Sequence, residues 1–254
     1  MIGLKKYTHQ EREDVIQKLL PNIQKKFGSN LLGLAATASF ARGDDLDFSD
    51  LELTAIVREM PEGKDFEGMG RIINGLLVEL IWTTEETYIR FFKRQVHDDW
   101  YLAASDRMVP VVNESLIKRL NDHSVEVTAE ACLAQLRRHW PEVQESTSKV
   151  LKAVQQRDRE GLGLVYWDMV RHTLVALSLL NCRPYTTFAK MVAEARAFDV
   201  KPSTFDPFVS PLRDGLDDLD ALRALVVRTF EEMEGFVLSA GVNPYSEEWQ
   251  LFDD

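Results

Sequence analysis

Residues Leu31 to Val57 read LLGLAATASFARGDDLDFSDLELTAIV, and they carry the main structural signals of the N-terminal part of the chain. Two short apolar runs within it are bounded by turn-forming residues, which predicts two buried β-strands. A small acidic loop joins the two runs. We expect the other strands and helices of this part to be organised around these two strands.

Two carboxylates open the second apolar run. Asp50 and Glu52 are two residues apart, and because strand side chains alternate, both leave the same face of the strand. They repel each other unless a cation lies between them, and Mg²⁺ is commonly held by one or two carboxylates together with substrate phosphates. Taken alone, the pattern also fits a solvated acidic turn, which is the more common case.

Further polar residues accompany the two predicted strands. Ser39 and Arg42 lie where the chain leaves the first strand, a position where hydroxyl, backbone N–H and guanidinium groups can contact phosphate. Glu79 lies inside a third apolar run, where a carboxylate is costly to bury unless it is paired or bound to metal. The alternative is an edge strand with Glu79 in solvent, and the sequence alone leaves both open.

The whole arrangement has a family resemblance. The segments Ala38–Gly43 (ASFARG) and Ser49–Glu52 (SDLE) resemble the signature of DNA polymerase β-like nucleotidyltransferases. Glutamate in the second acidic position is similar to the kanamycin nucleotidyltransferase family, the aminoglycoside 4′-O-adenylyltransferases. Residues Asn181–Thr187 (NCRPYTT) resemble that family's cysteine-Tyr-Thr-Thr segment. Ala38 stands where the family has glycine.

The resemblance implies a reaction and a set of roles. The reaction is transfer of AMP from ATP to a hydroxyl of a small molecule, first of all an aminoglycoside antibiotic, as in antibiotic resistance. The implied metal ligands for Mg²⁺ are Asp50, Glu52 and Glu79. The implied nucleotide contacts are Ser39, Arg42 and Lys149, and the implied catalytic base is Glu145. The resemblance also implies a homodimer with a shared active site.

Glu145 and Lys149 have a second interpretation. They are four residues apart, which is the orientation of a helix-surface ion pair. Spacing alone favours that interpretation, and only the resemblance assigns the two residues to the site.

The chain order predicts an α+β fold. Residues 1–124 are predicted to form a catalytic domain with a mixed β-sheet and helices, and residues 125–254 an all-α helical bundle. A capping box at Thr8 and Glu11 begins a helix that ends near Gly28. Further strands are predicted at 71–83 and 108–112, with residues 58–69 as a polar connection. Further helices are predicted at 84–96, 114–121, 127–140, 141–157 (restarting at Pro141), 161–181, 186–198 and 217–240.

Composition limits the possible partners and location. The net charge is −11, and neither half of the chain has the basic surface typical of nucleic-acid binders. Cys132 and Cys182 are interpreted as two thiols of a reducing compartment. The N-terminus has no apolar signal-peptide core, and the apolar run 162–180 carries charges, which favours a buried helix over a membrane span. We therefore expect a cytoplasmic protein.

Two departures from the family pattern keep other functions open. Leu77 replaces a lysine of the resistance enzymes, which leaves room for another acceptor: a lincosamide, a metabolite or a protein hydroxyl. Ala38 replaces a glycine that permits close backbone approach to a ligand, which leaves room for a non-catalytic nucleotide-binding or interaction module.

Overall fold

The computed structural model describes residues 3–102 and 107–245. The chain divides into two compact units, Met1–Gln95 with Ser105–Glu126 and Val96–Ala104 with Val127–Asp254. The first unit holds a mixed β-sheet with helices, and the second unit is built from helices. The predicted α+β class, with a sheet part followed by a helical part, is confirmed.

Five strands form the sheet of the first unit. They are β1 (Leu31–Ala36), β2 (Leu51–Val57), β3 (Phe66–Ile73), β4 (Leu76–Thr84) and β5 (Val109–Val112). Their order across the sheet is β3-β4-β2-β1-β5. β2 and β4 are parallel, and the other neighbouring pairs are antiparallel. The parallel pairing sets the starts of β2 and β4 side by side.

Helix α1 (His9–Phe27) covers one face of the sheet. It begins with the predicted capping box, in which Thr8 accepts a hydrogen bond from the Glu11 backbone N–H and Glu11 accepts one from the Thr8 backbone N–H. Ile16 and Ile23 of α1 are buried among alternate residues of β1, β2 and β4. The three-to-four spacing of apolar residues in α1 therefore corresponds to a real core-facing stripe.

The predicted third strand, 71–83, is wrong in its bounds, because a β-hairpin occupies this region. β3 and β4 pair antiparallel, and Asn74 and Gly75 between them both have positive φ, 52° and 87°. Asn-Gly is a strong hairpin signal. The polar connection predicted for 58–69 ends earlier, since β3 begins at Phe66. β3 is an exposed edge strand. Because it lacks an apolar pattern, it is stabilised mainly by its pairing with β4.

The opposite face of the sheet is covered at one end. The helices of the first unit after α1 are α2 (Ala38–Arg42), α3 (Glu85–Tyr88), which continues as a π-helical turn at Ile89–Arg94, and α4 (Glu114–Asp122). Tyr88 and Ile117 pack with Ala35 and Ile56 in a second, smaller core. Ile56 lies near the end of β2, so this cover lies at the end of the face away from Glu52.

The second unit is a set of helices around one core. They are α5 (Ala129–Gln156), α6 (Arg159–Leu180), α7 (Met191–Ala195), α8 (Phe205–Val209), α9 (Pro211–Asp214) and α10 (Leu219–Ser239). The predicted helix restart at Pro141 is wrong, because α5 is continuous through it. Trp140 and Val143 on either side are buried, and their packing offsets the hydrogen bond that proline removes. The helix predicted at 186–198 is shorter, Met191–Ala195 after a 3₁₀ turn.

The two cysteines differ from the expectation. Cys132 and Cys182, interpreted from the sequence as thiols, form a disulfide between α5 and the segment after α6. They are 50 residues apart, so only the pairing of α5 with α6 brings them together. None of the described helices is both long enough and apolar enough to cross a membrane, and the apolar run of α6 is buried at Leu174 and Leu177, as predicted.

Candidate functional site

Three carboxylates meet where β2 and β4 begin. Asp50 directly precedes β2, Glu52 is the second residue of β2, and Glu79 is directly opposite Glu52 in the parallel pair. One oxygen from each of the three carboxylates lies within 4.8 Å of the others. β4 has a neighbour on both sides, so Glu79 does not lie on an edge strand. The sheet thus brings together the three residues predicted to hold a metal.

Strand alternation explains why these carboxylates share a face. Leu51 and Leu53 are buried in the core under α1, so Glu52 between them leaves the other face. Val78 and Leu80 flank Glu79 in the same way. Because β2 and β4 are parallel and in register, the two outward carboxylates lie beside each other.

The cluster is electrostatically strained without a counter-ion. Burial, followed by repulsion from Asp50 and Glu79, raises the pKa of Glu52 to about 7, although nearby Arg42 lowers it. A divalent cation would remove the repulsion and favour the ionised form. Carboxylate oxygens are the hard donors that Mg²⁺ prefers, and Mg²⁺ completes its shell with water and phosphate. These residues therefore fit a divalent metal ion.

Helix α2 lies beside this cluster and carries the predicted phosphate contacts. Ala38 has a φ of 51°, a left-handed conformation that glycine adopts freely and that costs alanine about 1 kcal/mol. Ser39 is half-buried, and its carbonyl accepts hydrogen bonds from the backbone of Gly43 and Asp44. Arg42 ends the helix, is largely buried, and its Nε donates to the Asp44 carboxylate at 3.1 Å.

A buried arginine that the sequence analysis does not single out holds the acidic loop before β2. The side chains of Arg12 and Asp45 are 0% and 2% exposed, and they form an ion pair at 2.9 Å. The same guanidinium also donates to the backbone carbonyls of Tyr7, Leu46 and Ser49. Because Ser49 directly precedes Asp50, Arg12 sets the path of the chain into the carboxylate cluster.

A sequence signal for this anchor exists. Arg12 lies four residues before Ile16, so it occupies the apolar stripe of α1 one turn before the first buried apolar residue. A charge at a stripe position has to find buried partners. His9 adds to the anchor, because its Nδ1 lies 2.7 Å from the Asp45 carboxylate and its ring stacks on Phe40 with centroids 4.1 Å apart.

The other two predicted site residues lie in the second unit, on α5. The Nζ atom of Lys149 lies 2.9 Å from the Glu145 carboxylate, and their side chains are 49% and 59% exposed. A hydrogen bond and the charge of Glu145 raise the pKa of Lys149. The helix-surface ion pair favoured by the spacing is therefore present, and the catalytic roles of these two residues stay predictions.

The sheet and its three carboxylates indicate the kind of protein to which this chain belongs. A mixed sheet with three carboxylates at the start of a parallel strand pair, beside a short helix that follows the neighbouring strand, defines a nucleotidyltransferase-like protein. Residues 116–243 match the family model described as KNTase C-terminal domain, where KNTase denotes kanamycin nucleotidyltransferase. The chain belongs to this family, which confirms the resemblance and implies a nucleotide and a metal as ligands.

The chain is also similar to a protein of known structure. A nucleotidyltransferase-like protein from Exiguobacterium sibiricum 255-15 is 17% identical, with a TM-score of 0.45 over 89% of this chain and 77% of that one. Comparison with curated proteins gave no match.

Proposed function

We propose that this protein is a Mg²⁺-dependent adenylyltransferase that moves AMP from ATP to a hydroxyl of a small molecule. The convergence of Asp50, Glu52 and Glu79 in a chain of the kanamycin nucleotidyltransferase family carries this proposal. The reaction is ATP + R–OH → R–O–AMP + pyrophosphate. Residues 1–124 act as the catalytic domain and residues 125–254 as the helical domain.

The first unit binds and activates the nucleotide. Asp50, Glu52 and Glu79 hold the metal ion, and bound Mg²⁺ would offset the charge on the triphosphate and on the leaving pyrophosphate. Ser39 and Arg42 bind phosphate oxygens. Arg42 exchanges its ion pair with Asp44 for phosphate, which its guanidinium can contact through two hydrogen bonds.

Two residues of the helical unit complete the chemistry. Glu145 takes the proton of the acceptor hydroxyl, and general-base catalysis of this kind contributes about 10²- to 10⁴-fold in rate. Lys149 neutralises charge on the nucleotide, so the Glu145–Lys149 ion pair opens when substrates bind. In the family that the sequence resembles, a partner subunit supplies the base, and we therefore propose a homodimer with a shared active site.

Aminoglycosides are the first acceptor class to test. The net charge of −11 attracts a polycationic small molecule, and the family resemblance points to the same class and to a role in antibiotic resistance. A lincosamide, a metabolite or a protein hydroxyl is the alternative acceptor.

The test is a mass measurement with matched variants. The protein is incubated with Mg²⁺, ATP and an aminoglycoside panel, and each acceptor is examined for the mass gain of one AMP. Asp50→Asn removes a metal ligand and should abolish the gain, whereas Asp65→Asn, which changes an exposed ion pair with Arg90, should retain it. No adduct across the panel contradicts the aminoglycoside acceptor. Full activity of Asp50→Asn contradicts the metal site.

A second candidate function is binding of a nucleotide without transfer of AMP. Ala38 at a left-handed position favours it, because its side chain narrows the approach to the α2 backbone. Calorimetry with ATP and Mg²⁺ separates the two candidates, since tight metal-dependent binding without any product across a wide acceptor screen supports the second one.

A further inference from the structure

A cavity of about 300 Å³ lies against Asp50, one of the three clustered carboxylates. Its wall includes Leu4, Lys5, Phe48, Asp50, Gly75 and Leu77. A water molecule occupies about 30 Å³ in the liquid, so the cavity has room for a six-membered ring. Among the described residues that line it, Asp50 is the only acid, and most of the others are apolar. The cavity therefore suits an uncharged apolar group better than a polycation.

The N-terminal segment fixes one wall of this cavity. The Lys5 backbone N–H donates to the Gly75 carbonyl at 3.2 Å, and the Tyr7 hydroxyl donates to the Asn74 carbonyl at 3.0 Å. A Cβ atom on Gly75 would lie 2.8 Å from the Cγ atom of Lys5, so glycine permits this close contact. The Tyr7 backbone N–H also donates to the Asp47 carbonyl at 2.8 Å. The segment is thus tied both to the β3–β4 turn and to the loop before β2.

The sheet face that carries Glu79 is apolar beside this cavity. Leu77 and Ile81 lie on the same face as Glu79, two residues to either side, and Ile72 of β3 pairs with Leu77. Their exposed fractions are 38%, 42% and 69%. Leu77 lines the cavity, and its cross-strand partner Ile72 continues this apolar surface onto β3.

The strand order sets α2 and this cavity on opposite sides of β2. Ser39 and Arg42 follow β1, which neighbours β2 on one side, whereas Leu77 belongs to β4, which neighbours β2 on the other side. In an in-line displacement the attacking oxygen approaches opposite the leaving group. If α2 holds the leaving pyrophosphate, the acceptor approaches from the β4 side, where the cavity lies.

We propose that this cavity binds an apolar ring or short alkyl group of the acceptor, so that the acceptor is an amphipathic hydroxyl compound. The proposal rests on the proposed adenylyl transfer. The acceptor oxygen forms a bond to the α-phosphorus as the bond from that phosphorus to the bridging oxygen of the β-phosphate breaks. Pyrophosphate leaves with that electron pair, and the hydroxyl proton passes to a carboxylate base.

Two diols that differ only in an apolar group test the cavity without nucleotide or turnover. The binding of 3-phenoxy-1,2-propanediol and of 1,2-propanediol is titrated by ligand-observed NMR. Burial of the phenoxy ring should lower the Kd at least about tenfold relative to the small diol. MgATP binding is titrated separately. If the protein does not bind MgATP but still prefers the phenoxy diol, the result contradicts the adenylyl transfer and supports the binding of an apolar group in the cavity.

Matched variants locate the binding. Phe48→Ala and Leu77→Ser each remove part of the cavity wall, and both residues are partly exposed, 54% and 38%, so neither change removes a core contact. Both variants should lose most of the preference for the phenoxy diol. Leu164→Ser, at a 73% exposed leucine of the second unit, should retain it. Equal binding of the two diols, or an undiminished preference in both cavity variants, overturns the proposal.

Discussion

The substitution Arg12→Met tests how the acidic loop before β2 is held. Methionine keeps the length and apolar stem of the side chain but removes its charge and its donors. Asp45 would then remain as a carboxylate whose side chain is only 2% exposed, with His9 still in contact but without its arginine partner, and the carbonyls of Leu46 and Ser49 would lose their guanidinium donor.

The expected loss is large for one side chain. Breaking a buried ion pair by removing one partner costs about 3–5 kcal/mol, because the remaining charge stays buried. A typical domain has a free energy of unfolding of about 5–15 kcal/mol. Arg12→Met should therefore remove a large share of the stability of the first unit, and it should also weaken Mg²⁺ binding, because the loop leads directly into Asp50.

The measurement has to resolve the two units. Urea unfolding gives the total loss, and hydrogen exchange followed by mass spectrometry reports separately on peptides from α1, β2 and the helical unit. Arg90→Met is the matched control in the same unit, because Arg90 pairs with Asp65 at 2.8 Å while both side chains are more than half exposed. An exposed pair contributes below about 1 kcal/mol.

Two outcomes would contradict this role of Arg12. One is a loss in Arg12→Met that is no greater than in Arg90→Met. The other concerns the double variant Arg12→Met/Asp45→Asn, which should be more stable than Arg12→Met alone because it no longer buries the Asp45 charge without its arginine partner. A double variant that is less stable than the single one would show that the charge of Asp45 is not the reason for the loss.

Three further predictions concern other parts of the chain. Ala38→Gly should relieve about 1 kcal/mol of backbone strain at φ 51°, a gain partly offset by the greater entropy of glycine in the unfolded chain. The variant should also bind MgATP more tightly in calorimetry, and weaker binding would contradict this prediction. The Cys132–Cys182 disulfide joins residues 50 positions apart, so its reduction gives the unfolded chain more freedom and should lower the stability of the second unit by up to about 4 kcal/mol. Urea unfolding with and without dithiothreitol measures this loss. A Cys132→Ser/Cys182→Ser variant should show no effect of the reductant. Burial lowers the pKa of His139 to about 4, so between about pH 6.5 and 4 the unfolded state binds more protons than the folded state. The free energy of unfolding therefore falls on acidification through that range, by about 2 kcal/mol at pH 5. His139→Asn should flatten this pH dependence, and an unchanged pH dependence of stability would contradict the role of His139.

Local patterns predicted the elements whose structure depends on near neighbours. The capping box at Thr8, the alternation in β1 and β2, and the shared face of Asp50 and Glu52 follow from residues within a few positions of one another. Such patterns can be read from the sequence because backbone periodicity and capping act over one or two turns. The position of Glu52 on a polar face was therefore predictable before any strand pairing was known.

Pairing between distant segments could not be predicted from local patterns. The sequence marks Glu79 as an acid in an apolar run, but only the parallel register of β2 and β4 sets it opposite Glu52. α5 continues through Pro141 because buried neighbours support it, and the disulfide depends on the pairing of α5 with α6. Arg12 becomes an anchor only because a loop more than 30 residues later folds over it. Contacts between residues far apart in the chain depend on which packing gives the lowest total free energy, and no local pattern carries that information.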